Sequence, residues 1–254
     1  MKNYCKTIST LAAASALAAS NGQAGEIPPH SQPAAASALA AEVEYELHTG
    51  YTSEYLFRGF NLGQDLVEVG ADVSTEWNGL GLSAGAWFGS FSNSSGQDFD
   101  ELDIYGEVSK DLGFLTAAIG YINYQNPRLA ATPDDAQEVY FSVAQTYFGV
   151  DFSLAYFWDI ETDNDGYAEL GASKGFELSP CLTLNTGATL GYLCEEGDLA
   201  HLTAKVSLDW AFTETATLSP FVAHSWGLGE TASTLGNGGI ENEFVGGTML
   251  SVSF

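Results

Sequence analysis

Residues 43–57 read VEYELHTGYTSEYLF, a stretch in which apolar and polar side chains alternate. Val43, Tyr45, Leu47, Tyr51, Tyr55 and Phe57 form one set, and Glu44, Glu46, His48, Thr52 and Glu54 form the other. A period of two places successive side chains on opposite faces of a β-strand. At roughly 3.3 Å per residue the run is about 50 Å long, far beyond an ordinary soluble strand. Such a length, with two unlike faces, suits a tilted crossing of a bilayer.

The alternation recurs in twelve segments, at 42–57, 65–77, 80–91, 100–111, 114–125, 137–148, 151–160, 166–176, 182–194, 200–212, 216–226 and 242–254. Connections after the even-numbered segments are tight: NG, LG, FGV, ELSPC and TET. Those after the odd-numbered ones are longer: RGFNLGQ, SNSSGQDF, NPRLAATPDDAQ, ETDNDG, EEGDL and GLGETASTLGNGGIENE. Short periplasmic turns and longer extracellular loops are the habit of outer-membrane barrels. From Glu42 onward no segment reaches 18 uninterrupted apolar residues, which excludes helical spans. Backbone exposed to hydrocarbon has to be paired, so the expected fold is all-β: a closed antiparallel transmembrane β-barrel of about 12 strands over residues 42–254.

Register tests this reading, because a hairpin facing lipid must pair apolar with apolar. Closing on Asn78-Gly79 puts Trp77 opposite Leu80, Thr75 opposite Leu82, Val73 opposite Ala84, Ala71 opposite Ala86 and Val69 opposite Phe88. Around Leu112-Gly113, Val108 meets Ala117, Gly106 meets Ile119 and Ile104 meets Tyr121. Aromatics bound the outward face: Trp77, Tyr147, Phe176, Trp210 and Phe212 near the short turns, and Tyr55, Phe57, Phe88, Trp158, Tyr192 and Trp226 at the far end. They read as two interfacial girdles. Phe254, in phase with Val252 and Leu250, is expected to face outward on the closing strand and to serve as the signal read by the barrel-assembly machinery.

The opening MKNYCKTISTLAAASALAASNGQAGE has a Lys-flanked start, an Ala/Leu run and small residues at Gly22 and Ala24, so residues 1–24 read as a secretory signal peptide. Residues 25–41, Pro/Ala-rich and unpatterned, read as a flexible leader. Charge narrows the partners: 33 acidic residues stand against 7 basic ones, for a net charge of −26. Such a surface repels nucleic acid. The remaining partners are outer-membrane lipid and small solutes, and the compartment is the outer membrane of a Gram-negative bacterium.

The stretch TGYTSEYLFRGFNLG, residues 49–63, with the alternating strands behind it and the terminal phenylalanine, resembles the TorF family of exported, porin-like bacterial proteins. Similarity is clearest over about residues 43–91. The resemblance implies a barrel in the outer membrane and brings no catalytic residues; its Ser/Tyr/Arg-Gly segment falls on Ser53, Tyr55, Arg58 and Gly59.

The inward face carries the functional signal. Glu44, Glu46, Glu54, Glu68, Asp72, Glu76, Asp103, Glu107, Glu138, Asp151, Glu169 and Asp209 stand against Arg58 and Lys205 as pore-lining candidates. Pairing the first two strands about RGFNLGQ sets Glu54 near Glu68 and Glu46 near Glu76. Like charges so placed call for protonation, a cation such as Arg58, or bound metal ions. In a water-filled lumen these carboxylates favour cations and reject anions. The expected function is therefore a porin-like channel for passive diffusion of small solutes.

Two alternatives stand beside it: a lipid-hydrolysing barrel, and a plugged structural or adhesive one. ETDNDGYAELGA starts like a calcium loop but ends on Ala172 where a bidentate Glu is needed. Cys181 and Cys194, at opposite ends of a strand, are expected to be free thiols. His201 and Thr203 share the inward face while His224 faces away beside Ser225, so no nucleophile and base are aligned. No enzyme activity, cofactor or dedicated metal site is expected.

Overall fold

The computed structural model describes residues 43–93, 95–126, 136–161, 166–229 and 239–254. The signal peptide and leader lie outside the described residues, as do residues 162–165 of the calcium-like loop and most of the 227–242 loop. Twelve strands follow one another: β1 (Val43–Phe57), β2 (Phe60–Trp77), β3 (Leu80–Ser92), β4 (Asp98–Asp111), β5 (Thr116–Gln125), β6 (Ala136–Tyr147), β7 (Val150–Asp159), β8 (Tyr167–Ser179), β9 (Leu182–Leu193), β10 (Asp198–Ala211), β11 (Ala216–Gly227) and β12 (Glu243–Ser253). Each pairs antiparallel with its neighbours, and β12 returns to β1 to close the barrel. Closure leaves no open sheet edge. Phe254 completes the seam by exchanging backbone hydrogen bonds with Tyr45, at 2.9 and 3.3 Å.

The fold is inside-out relative to a soluble domain. On β2, Val67 and Val69 are 56% and 51% exposed, while Glu68 between them is 1% exposed. Leu154, Phe141, Leu47 and Val222 continue an exposed apolar belt around the outside. A patch of this extent marks a surface that meets hydrocarbon. Spin labels at Val69 and Ala71 in reconstituted vesicles are therefore expected to respond to dissolved oxygen and to ignore nickel chelates; the opposite accessibility would place these faces in water.

Turn chemistry sets the register. Arg58-Gly59, Asn78-Gly79 and Phe148-Gly149 each place two residues at positive φ, the hairpin conformation whose twist matches that of the strands. The β2–β3 pairing is the expected one, from Trp77 opposite Leu80 to Val69 opposite Phe88. The β4–β5 pairing differs by two residues: Val108 meets Ile119, and Gly106 meets Tyr121. A four-residue turn closed by Leu112 N–H on the Leu115 carbonyl replaces the two-residue one. An even slip leaves every side chain on its expected face.

The largest departure is at β1–β2. RGFNLGQ is not a long loop: Arg58 and Gly59 alone make the turn, and the strands pair up to Phe57 opposite Phe60. Glu46 therefore faces Asp72, Gly50 faces Glu68 and Glu54 faces Gln64, which corrects both expected carboxylate pairs. The ladder breaks between Tyr55 and Leu56 on β1 and between Gln64 and Val67 on β2, where Asp65 adopts a φ of 56°. Bulges bend and twist a strand. Here they turn the hairpin tip inward over the mouth of the barrel.

Candidate functional site

Bending the tip inward carries Arg58 across the interior to the strands on the far side. Its guanidinium donates two hydrogen bonds to Glu138 on β6, at 2.7 and 2.6 Å. It also lies 4.7 Å from the Phe57 ring centroid, 4.5 Å from that of Phe157 on β7 and 4.7 Å from that of Tyr167 on β8. A planar, weakly hydrated cation suits both kinds of contact. Burial works against its charge, but the Glu138 carboxylate outweighs this and holds the guanidinium above its ordinary pKa. Gly59 sits against β10, where an added Cβ would stand 2.9 Å from His201. The tip thus seats between an anionic clamp and an aromatic wall.

Around this clamp the interior is packed. Phe57 and Phe60 join Ile122, Tyr124, Tyr140, Phe157 and Tyr167, and Tyr55 joins Leu66, Trp87 and Phe91. Tyr55 is fully buried and donates to Glu101 at 3.0 Å, so neither it nor Phe57 belongs to the outer girdle. The bulge carries them inside, against the alternation.

Acidic side chains of the interior also accept from phenol and indole donors. Trp87 donates to Glu68 at 2.7 Å, Tyr140 to Glu107 at 2.8 Å, Tyr124 to Glu138 at 3.0 Å and Tyr105 to Asp72 at 2.6 Å. Hydrogen bonds to an ionised acceptor are the stronger kind, and in a low-dielectric interior they matter most. Glycines make room for the donors: a Cβ at Gly85 would strike Tyr105 and Asp72.

Burial falls along the barrel. Toward the long-loop end and the middle of the barrel Glu68, Asp103 and Glu138 are buried, joined by Glu101 and Asp159; Glu107, four residues from the short-turn end of β4, is buried under Tyr140. Toward the short turns Glu46, Asp72, Glu76, Asp151, Lys205 and Asp209 are half-buried and Glu44 is exposed. Glu169, at the long-loop start of β8, is half-buried too and accepts from Tyr167 at 3.3 Å, and Asp209 accepts from Asn185 at 2.6 Å. Lys205 lies 4.4 Å from the Phe221 ring centroid. Glu54 stands apart at the exposed rim, where the Asn61 amide bridges it to Glu243. The interior is therefore a water-accessible acidic vestibule at one end and a packed, clamped plug at the other.

Glu101 and Asp159 share strand faces with Asp103 and Asp151, so alternation alone locates them. Tyr105 and Tyr140 share those faces too, in phase with Asp103 and Glu138, but alternation does not say which carboxylate each phenol meets.

His201 accepts or donates at both ring nitrogens, 2.9 Å from the Tyr167 hydroxyl and 2.8 Å from that of Thr203, and Thr203 in turn donates to Ser225 at 2.8 Å. His201 and Ser225 thus meet through Thr203, an alignment the sequence did not lead us to expect. Ser225 is fully buried. His224 faces outward among Trp226 and Phe244. Cys181 is disulfide-bonded, which overturns the expectation of a free thiol there, although it does not pair with Cys194. Val252 and Leu250 pair with Leu47 and Thr49 on the outward face, and Phe254 is 69% exposed beside them.

Residues 35–235 match a family described as bacterial proteins of unknown function, Gcw_chp. The chain belongs to the Gcw_chp family. No curated protein matches this Gcw_chp member in sequence. Among solved structures it is similar to the KdgM porin in complex with disordered oligogalacturonate, with a TM-score of 0.50 and 9% identity over 83% of this chain and 99% of that one. It is likewise similar to an outer-membrane channel from Pseudomonas putida, with a TM-score of 0.50 and 11% identity over 86% and 97% of the two chains. At these identities the likeness is one of fold: this Gcw_chp chain has the closed antiparallel barrel of outer-membrane channels.

Proposed function

We propose that this protein is an outer-membrane channel of Gram-negative bacteria, passing small cationic or neutral solutes, with the β1–β2 hairpin closing its mouth in the conformation described. The carrying observation is the fall in burial along the interior, from clamped carboxylates under the hairpin to half-buried ones at the short-turn end. Carboxylates facing water in a narrow lumen attract cations and raise their local concentration. The likeness of residues 49–63 to the TorF porin-like family supports the same reading.

A plugged structural barrel is the second reading, favoured by the bidentate Arg58–Glu138 clamp itself. Planar-bilayer recording separates the two. The channel reading expects wild-type events whose reversal potential favours K⁺ over Cl⁻, and more frequent or larger events from Arg58→Ala. Silence from both proteins would leave the plugged barrel. Lipid hydrolysis has little support, because Ser225, the serine that His201 reaches, is sealed from lipid inside the barrel.

A further inference from the structure

A second cluster lies in the vestibule, away from the Arg58 clamp. Glu46 and His48 stand two residues apart on the inward face of β1, and Asp72 on β2 is the direct cross-strand partner of Glu46. Two carboxylates facing each other across a ladder repel. Instead of splaying, they converge with the imidazole so that one ligand atom from each of the three lies within 4.8 Å of the others. His48 Nδ1 is 3.3 Å from Asp72 Oδ2. That separation is close to the edge of a tetrahedron with metal–ligand bonds of about 2.1 Å, roughly 3.4 Å.

Each member is held from behind. The Tyr105 hydroxyl donates to Asp72 Oδ1 at 2.6 Å, which turns Oδ2 toward the imidazole. Ser253 on β12 donates to Glu46 Oε2 at 3.3 Å. His48 lies over Gly70, where any Cβ would strike its ring. Outer partners of this kind orient the ligands of metal sites. The side chains of His48 and Asp72 are 15% and 29% exposed, so an ion arriving from the vestibule reaches them and keeps water in its remaining positions.

We propose that Glu46, His48 and Asp72 form a binding site for a divalent transition-metal ion of the Zn²⁺ class. One imidazole nitrogen and two carboxylates suit zinc better than the all-oxygen ions Ca²⁺ and Mg²⁺. A dication there also offsets the Glu46–Asp72 repulsion. The site requires the barrel and its open vestibule but not conduction, so it stands or falls separately from the channel reading.

The test is calorimetric titration of Zn²⁺ into the full-length protein, refolded in detergent micelles, with excess Mg²⁺ present to occupy ordinary surface carboxylates. The wild type is expected to show one saturable site, and His48→Ala and Asp72→Asn to weaken it by about tenfold or more. X-ray absorption at the zinc edge should then show a single imidazole in the first shell, a readout that holds even if a variant fails to fold. Equal zinc affinity in His48→Ala, absence of a saturable site in the wild type, or a zinc shell without imidazole would each overturn the proposal and leave the cluster a simple His–Asp ion pair.

Discussion

Glu138→Ala will strand Arg58 as an uncompensated charge inside the barrel mouth, and trypsin will then cut after Arg58 about a hundredfold faster or more. In the wild type the Arg58 side chain is 11% exposed and its guanidinium is held by both Glu138 oxygens. Removing one partner of a buried ion pair costs about 3–5 kcal/mol, because the remaining charge keeps its desolvation cost and loses its compensation. The tip can relieve that cost by leaving its seat. Peptide bonds are cut from the opened population, so a shift of about 3 kcal/mol raises the cleavage rate more than a hundredfold.

The double change Arg58→Ala with Glu138→Ala removes both charges and is expected to unfold in urea closer to the wild type than Glu138→Ala alone. Arg58→Lys keeps the trypsin site but loses the planar, two-pronged contact, and should be cut at an intermediate rate. A Glu138→Ala protein as resistant as the wild type would show that the aromatic seat, and not the ion pair, holds the hairpin down.

That clamp also marks where the sequence stops being readable. The twelve strands were legible because each crosses a slab with lipid outside and side chains or water inside, and alternation records this directly. The β2–β3 register was legible because Asn78-Gly79 prescribes a two-residue turn. Leu112-Gly113 misled by two residues because Phe114 and Leu115 extend that turn. Arg58-Gly59 misled by four, since an arginine at positive φ is an uncommon turn former and only its seat inside the barrel explains it. Beyond the bulge at Tyr55 alternation no longer reports the face, and Arg58 meets Glu138 across 80 residues of sequence. The acidic interior was legible as a set of residues; its division into a clamped plug and an open vestibule was not.

Gly120→Val is expected to destabilise the barrel by about 3 kcal/mol, through the wall that supports the plug. Gly120 on β5 pairs directly with Tyr140 on β6, and the Tyr140 ring lies across it so closely that any Cβ would enter the ring. The ring has nowhere to retreat. It is fully buried, its hydroxyl is tied to Glu107 at 2.8 Å, and Phe157 packs against it with centroids 5.5 Å apart. Tyr140→Ala alone opens a cavity and costs a comparable amount, about 3–5 kcal/mol. In the double variant the valine occupies part of that cavity, so the two costs should fall short of additivity by about 2 kcal/mol. Urea unfolding of the four proteins from lipid vesicles measures this. Strict additivity would mean that Tyr140 swings clear of Gly120, and that the aromatic wall beneath Arg58 is soft enough to move with the hairpin.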